Sequence, residues 1–201
     1  MSSTLCDMPH VDHGTETPNQ RDKQRQIVEA ARRVLARDGL AGCTARAVAD
    51  ASPLTKSAMH YYFTDIDEVV DQAMAAHLEA FLQALRETAE REKDQVRRLW
   101  RVVDAYLATF AGQPHAARLW FEYWIALSRR NASDPIRADL ASVGSLFQSL
   151  LADAGHPRPA ETADLLVSWL LGAVVRQDVT TGQKQQPGRR ELQLLVEAAY
   201  S

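Results

Sequence analysis

Residues 44 to 63 read TARAVADASPLTKSAMHYYF, and no other segment of the chain is as informative. Thr44 is suited to cap a short helix that runs to about Ala51, because its hydroxyl can accept a hydrogen bond from the first turn. Pro53 disfavours helical geometry in the residue before it, so this helix ends there. Thr55 can cap another short helix, Lys56 to Phe63. Two short helices joined by a tight turn predict a helix–turn–helix.

The second of these helices has two chemically different faces. Met59, Tyr62 and Phe63 fall on one side and can pack on the other helices of the domain. The opposite side carries Lys56, Ser57, His60 and Tyr61. This side offers hydrogen-bond donors, an imidazole and an aromatic ring but no carboxylate, which suits base edges and phosphates. A solvated polar surface is the alternative interpretation.

Outward from this segment, the pattern is helical on both sides. A first helix is expected from about Asp22 to Arg37, with Gly39 at its end. A long fourth helix is expected from Thr64 to about Glu92, since acidic residues fill its first turn and apolar residues keep a helical period. Further apolar stripes follow, separated by glycine and proline. No segment alternates with the period of a strand.

The sequence therefore predicts an all-α protein of about nine helices. We expect a disordered tail over residues 1–20, a three-helix helix–turn–helix domain over 21–64, and a larger helical domain over 65–201. The last elements of the larger domain are a loop from Thr180 to Pro187 and a short final helix.

Charge is distributed unevenly along the 201 residues. Arg21 to Phe63 contains eight basic and four acidic residues, whereas residues 65–201 contain fifteen basic and nineteen acidic ones. A basic first segment joined to an acidic remainder favours contact of the first segment with a polyanion.

Composition and motifs also indicate where the protein is located and whether it binds a metal or acts as an enzyme. No apolar run approaches the roughly 18 residues that a bilayer requires, and no signal peptide is recognisable, so we expect a cytoplasmic protein with no membrane partner. Cys6, His10 and His13 are conceivable metal ligands, but the tail around them has no predicted structure. No nucleophile–base set, metal-ligand spacing or phosphate-binding loop is present, so we predict no enzyme, no metal and no cofactor.

The segment from Val48 to Phe63 resembles the signature of the tetracycline-repressor (TetR) family, whose usual form is I-A-x-x-A-G-V-S-x-G-x-L-Y-x-Y/H-F. Gly39 and Thr44 match the glycine and threonine that usually precede it, and residues 64–69, TDIDEV, resemble the opening of the family's fourth helix. The resemblance covers roughly residues 24 to 70. It implies a ligand-responsive regulator, most simply a repressor released from a palindromic operator by a small-molecule effector.

The resemblance also implies which residues meet DNA. Thr44 would cap the second helix and meet a phosphate, and Thr55 would cap the recognition helix. The positions that reach base edges correspond to Lys56, Ser57 and His60, the phosphate contacts correspond to Tyr61 and Tyr62, and Arg46 is a further basic candidate. Ser52-Pro53 stands where Ala-Gly is usual, and Ile66 stands where a phosphate-binding lysine is frequent. A different turn geometry and weaker binding are the expected consequences.

In such regulators the helices after the fourth bind the effector and form a homodimer. Aromatic residues are concentrated there: Trp100, Tyr106, Phe110, Trp120, Phe121, Tyr123 and Trp124. The candidate ligand contacts are Trp100, Tyr106, Phe110, Trp120, Tyr123 and Trp124, and a plain hydrophobic core is the alternative. Asp104 and Glu122 lie among these rings in sequence, which would suit a cationic ligand, while lipophilic and neutral ligands remain open.

Dimerisation is expected on about Ala160 to Gln177 and Arg189 to Tyr200. Trp169, Leu170 and Ala173 are candidate contacts across the dimer, or core residues within one chain. The competing function is a helical adaptor that does not bind DNA.

Overall fold

Eight helices and no strand make up the described residues, which confirms the predicted all-α fold. The computed structural model describes residues 17–112 and 114–179, with residues 192 and 196; the side chains of Lys56, Pro114 and residues 177–179 are outside this description. The helices are α1 (Pro18–Gly42), α2 (Ala45–Asp50), α3 (Lys56–Tyr62), α4 (Ile66–Glu90), α5 (Gln95–Gly112), α6 (Pro114–Arg129), α7 (Asp134–Asp153) and α8 (Pro159–Val179). The tail over 1–16 with Cys6, His10 and His13, the loop from Thr180 to Pro187 and most of the expected final helix are not among the described residues.

The first helix begins at Pro18, four residues before the predicted start. Thr17 accepts a hydrogen bond from the Gln20 backbone N–H (3.4 Å), and the Gln20 side chain accepts one from the Thr17 N–H (2.7 Å). This reciprocal capping box satisfies N–H groups that the first turn leaves free, and Pro18 is already set for helical φ. Residues 17–20 are therefore ordered, which corrects our assignment of this segment to a disordered tail.

Gly39 interrupts α1 with a positive φ of 71°, a conformation that side chains with a Cβ rarely adopt. A short last turn follows and ends at Cys43, which is buried. Burial raises the pKa of the Cys43 thiol to about 11, and the negative charge of Asp38 adds to the increase.

The first three helices pack around a common apolar centre that includes Ile27, Val34 and Val48. The turn between α2 and α3 uses the serine that departs from the usual signature: Ser52 Oγ accepts a hydrogen bond from the Leu54 N–H at 3.1 Å. This side-chain bond provides the alternative turn geometry that the Ser-Pro pair requires.

The fourth helix joins this small domain to the rest of the chain. It has 25 residues, which is roughly 37 Å at 1.5 Å per residue. Its first residue, Ile66, packs on the core. This is the position at which the tetracycline-repressor signature frequently has a phosphate-binding lysine. α4 contacts α1 on one side and α5 on the other, and α1 also packs on α6. A movement of α4 or α6 would therefore displace α1, on which the two short helices of the helix–turn–helix pack.

The most extensive helix pair of the larger domain is α7 with α8. Leu170 and Ala173 are fully buried within the chain, so these two residues belong to its own core. Within the described part of the chain, no helix combines the length and the apolar character that crossing a membrane would require.

Candidate nucleic-acid interface and aromatic pocket

The seven residues of α3 separate into the two faces expected from the sequence. Met59 and Phe63 are each only 3% exposed, and Tyr62 is half-buried against the same core. Ser57 and His60 are exposed, and Tyr61 is 73% exposed. The outer face of α3 is therefore available to a partner, because burial of the opposite face fixes the helix on the domain.

Both short helices begin at threonine caps. Thr44 Oγ1 accepts a hydrogen bond from the Ala47 N–H at 3.2 Å, and Thr55 Oγ1 accepts one from the Ala58 N–H at 3.3 Å. Each cap satisfies one of the N–H groups that a helix start leaves free. The two caps thereby fix the first turns of α2 and α3, although the helices are too short to be stable on their own.

The basic side chain of Arg46, on α2, is highly exposed and weakly paired. The Arg46 side chain is 89% exposed, and its Nε lies 3.9 Å from a carboxylate oxygen of Asp50, which is a weak surface pair. The Arg46 guanidinium is thus free to exchange that partner for a phosphate. Lys56 opens α3, but its side chain is outside the described part.

A second concave feature, hereafter the aromatic pocket, lies among helices α4 to α8. Its described lining consists of Leu78, Phe81, Tyr106, Phe110, Ala117, Trp120, Phe121, Trp124, Asp139, Leu140, Val143, Val167, Leu171 and Val174. The cavity volume is about 40 Å³, which is room for about one water molecule. In this state the aromatic pocket is closed.

The structure brings four of the six candidate ligand residues into this lining: Tyr106, Phe110, Trp120 and Trp124. Trp100 and Tyr123 are not among the described lining residues. Tyr123 is buried beside Asp71, and both burial and the neighbouring carboxylate raise its pKa. Sequence reasoning missed Phe81, which the apolar stripe of the fourth helix contains, and Asp139, which interrupts the stripe formed by Ile136, Leu140 and Val143.

The described lining of the pocket contains one carboxyl group, that of Asp139. The residue is half-buried, and desolvation raises its pKa from 3.8 to about 6. The Trp124 indole N–H lies near enough to oppose part of this increase, yet this buried N–H has no hydrogen-bond partner of normal geometry among the described residues. Asp104 and Glu122, the acids suggested by the sequence, are both exposed and are not among the described lining residues. The acid of the described lining is Asp139 instead.

Two connections link the walls of this pocket to the helix–turn–helix. Arg130, directly after α6, lies 2.7 Å from a carboxylate oxygen of Asp67 and 2.9 Å from one of Asp71, both in the first turns of α4. His77 on α4 contacts the ring of Trp120, with ring centroids 6.0 Å apart. His77 also lines a cleft of about 580 Å³ that separates the end of α1 from α4 and α6. α4 and α6 thus form a wall shared by the pocket and the domain junction.

Comparison with known families supports the interpretation of the first domain. Residues 27–73 match the family model of bacterial regulatory proteins of the tetR family. The matched range contains the buried face of α1, both short helices and the beginning of α4.

Among characterised proteins, the chain is similar to the HTH-type nicotine-responsive transcriptional repressor HdnoR of Paenarthrobacter nicotinovorans. The two are 27% identical over 120 residues, which is 60% of this chain and 60% of the repressor. The similar region therefore spans less than two thirds of that relative.

Solved structures share the fold over most of the chain. The multidrug binding protein EbrR, complexed with imidazole, has a TM-score of 0.68 at 24% identity, covering 92% of this chain and 97% of that one. A transcriptional regulator of Streptomyces avermitilis has a TM-score of 0.68 at 23% identity, covering 88% and 97%. A regulator from Haloarcula marismortui has a TM-score of 0.67 at 19% identity, covering 90% and 93%.

The signature segment, the helical fold and these matches agree with one another. Residues 27–73 are thus similar to the tetR family of bacterial regulatory proteins, and the described chain shares its fold with solved regulators.

Proposed function

We propose that this transcriptional regulator is a homodimeric repressor that binds a palindromic operator through α3 and is released when a small molecule occupies the aromatic pocket. The observation that carries this proposal is the amphipathic placement of α3, with Met59 and Phe63 buried and Ser57, His60 and Tyr61 exposed. A seven-residue helix held in this way is the part of a helix–turn–helix that enters a major groove.

The roles on DNA follow from the chemistry of each side chain. Ser57 and His60, together with Lys56, would read base edges, since hydroxyl, imidazole and ammonium groups can donate to acceptors in the major groove. Thr44, Tyr61, Tyr62 and Arg46 would contact phosphates, and Thr55 would keep the start of α3 in place. Phosphate contacts position the protein, and base contacts give it sequence preference.

A homodimer would present two copies of α3 to successive major grooves, which lie about 34–36 Å apart. The outward side of α8 supports this assembly. Leu165 is 55% exposed and Val175 is 43% exposed, and the half-buried Trp169 lies between them. Leu165 and Trp169 are four residues apart and share one side of α8, an apolar surface that can pair with its own copy about a two-fold axis.

The effector would act through the wall formed by α4 and α6. Trp120 and Trp124 of α6 line the closed pocket, and the residue that follows this helix, Arg130, is paired with the first turns of α4. A ligand that separates the pocket helices would displace α4 relative to α3 and change the spacing of the two recognition helices. It can do so only by binding the two spacings with different affinity.

The relatives give this proposal modest additional support. HdnoR is a nicotine-responsive repressor, and EbrR is a multidrug binding protein that has been solved with imidazole. Small nitrogen-containing molecules are therefore reasonable first compounds to screen against this chain.

The experiment selects bound fragments of the source genome and measures their affinity by fluorescence anisotropy at two salt concentrations. We expect His60→Ala and Tyr61→Ala each to weaken binding, with Tyr61→Ala weakening it on all fragments alike because a phosphate contact carries no sequence information. His115→Ala, an exposed histidine at the start of α6, is the control. Unchanged affinity in both α3 variants, or no bound fragment, would favour the adaptor instead.

A further inference from the structure

We infer that the effector is an organic cation with an apolar body, held between the rings of the aromatic pocket and the carboxylate of Asp139. The regulatory consequence of this binding rests on the proposed function, whereas the binding itself does not.

The charge of the lining points to a cation. Asp139 is the one ionisable acid of the described lining, and no lysine, arginine or histidine is among those residues. Among the described residues no basic side chain pairs with its carboxylate, and the nearby Trp124 indole N–H makes no hydrogen bond of normal geometry to it. A buried charge is costly unless it is paired, so a carboxylate placed here is complemented best by a positive ligand.

The rings around this carboxylate supply the second requirement. Phe81 lies 5.3 Å from Tyr106 and 5.7 Å from Phe110 between ring centroids. On α6, Trp124 lies 6.4 Å from Trp120 and 5.7 Å from Phe121 between ring centroids. Ring faces attract cations through their quadrupole, and the attraction is larger where water is excluded. Two groups of rings and one acid in the same described lining therefore select for positive charge on an apolar ligand.

The closed state adds a constraint on how the ligand binds. A volume of about 40 Å³ cannot hold an organic molecule, because small-molecule sites usually measure about 300–1,000 Å³. Phe121 and Trp124 are only half-buried, so they can move outward more easily than the fully packed residues. Their displacement would also make the Trp124 N–H accessible to a hydrogen-bond acceptor, since this buried group makes no hydrogen bond of normal geometry in the closed state.

The test uses benzyltrimethylammonium, whose charge does not titrate, and its uncharged isostere neopentylbenzene. Binding is followed by tryptophan fluorescence and calorimetry on the full chain without DNA. We expect the cation to bind about tenfold or more tightly than the isostere. Asp139→Asn should remove most of that preference and leave the isostere unaffected. Asp104→Asn is the matched control, since its carboxyl is exposed and outside the described lining.

The pH dependence gives a second readout that a packing defect would not reproduce. Protonation of Asp139 removes the charge that holds the cation, so affinity for the cation should rise as pH increases through about 6 and then level off. Asp139→Asn should bind the cation weakly and equally over this range.

Three results would overturn the inference: equal binding of the two compounds, no binding of the cation or of the smaller tetramethylammonium, or full cation affinity in Asp139→Asn. Because these measurements contain no DNA, they stand whether or not the operator experiment succeeds. Cation binding together with absent DNA binding would reject the proposed repressor and keep the cation site.

Discussion

The outer face of α3 and the aromatic pocket use similar residues in opposite ways. Tyr61 is 73% exposed on α3, whereas Tyr106 is 4% exposed in the pocket lining. The first ring can contact a flat, charged partner without any rearrangement. The second becomes accessible only if the pocket opens. Under the proposed function, the chain combines one surface that is already accessible with one site that must change shape.

The two regions also differ in what holds them. α3 has seven residues and depends on Met59 and Phe63 for its position, because a helix this short is unstable alone. The pocket lies among five longer helices, and its described lining contains a carboxyl group whose charged form is disfavoured by desolvation. Breaking α3 should therefore cost stability, whereas neutralising the carboxyl group should increase it.

The largest effect is expected for Phe63→Ala. Truncation of this buried ring should lower the free energy of unfolding by about 3–5 kcal/mol and abolish operator binding, since the anchor of α3 is lost. Denaturant unfolding followed by circular dichroism measures the change. Tyr61→Ala, on the exposed face of the same helix, should stay within about 0.5 kcal/mol of the wild type. A similar loss of stability in both variants would mean that α3 has no distinct outer face.

Asp139→Asn should have the next largest effect, and its sign depends on pH. Because the folded state raises the pKa of Asp139, it binds more protons than the unfolded state between about pH 4 and 6. The wild type therefore loses stability as pH rises through about 6, and the variant does not. At pH 7.5 the variant should be more stable by about 1–3 kcal/mol.

The check is urea unfolding at pH 4.5 and at pH 7.5. The advantage of Asp139→Asn should largely vanish at the lower pH, where the wild-type carboxyl is protonated. Asp104→Asn should show no comparable dependence. If the difference in the free energy of unfolding between Asp139→Asn and the wild type were the same at both pH values, the carboxyl group would not be desolvated in the pocket.

Arg130→Gln should have the smallest effect on stability, and it should weaken the coupling between the aromatic pocket and α3. The Asp67 side chain is exposed, and those of Arg130 and Asp71 are partly exposed, so the loss should be about 1 kcal/mol or less. The effect of the pocket ligand on operator affinity should nevertheless fall severalfold, because α6 is no longer tied to the start of α4. Anisotropy titrations with and without ligand measure this coupling, with Arg129→Gln as the control. Undiminished coupling would exclude Arg130 as the connection.

Local chemistry allowed much of the first domain to be predicted from the sequence. The threonine caps at Thr44 and Thr55 and the proline between them set the limits of α2 and α3 to within about a residue. The buried positions Met59 and Phe63 followed from helical periodicity. The start of α1 was missed because the capping box of Thr17 and Gln20 lies in a polar segment without apolar periodicity.

The pocket was predicted less completely because its members come from five helices. The sequence indicated that aromatic residues are concentrated in α5 and α6, and four of the candidates do share the lining. Helical periodicity within one element cannot show that Asp139 of α7 faces those rings while Glu122 of α6 faces solvent. That distinction depends on the angles at which helices pack, which sequence spacing does not contain.

The buried thiol of Cys43 has a practical consequence for studying the first domain. With a pKa of about 11, it is ionised at pH 7 in only about one molecule in 10⁴. Alkylating reagents attack the thiolate, and the folded domain also shields the sulfur from them. In a Cys6→Ser background, the labelling rate of Cys43 would thus report how often the helix–turn–helix opens, and how strongly bound DNA suppresses that opening.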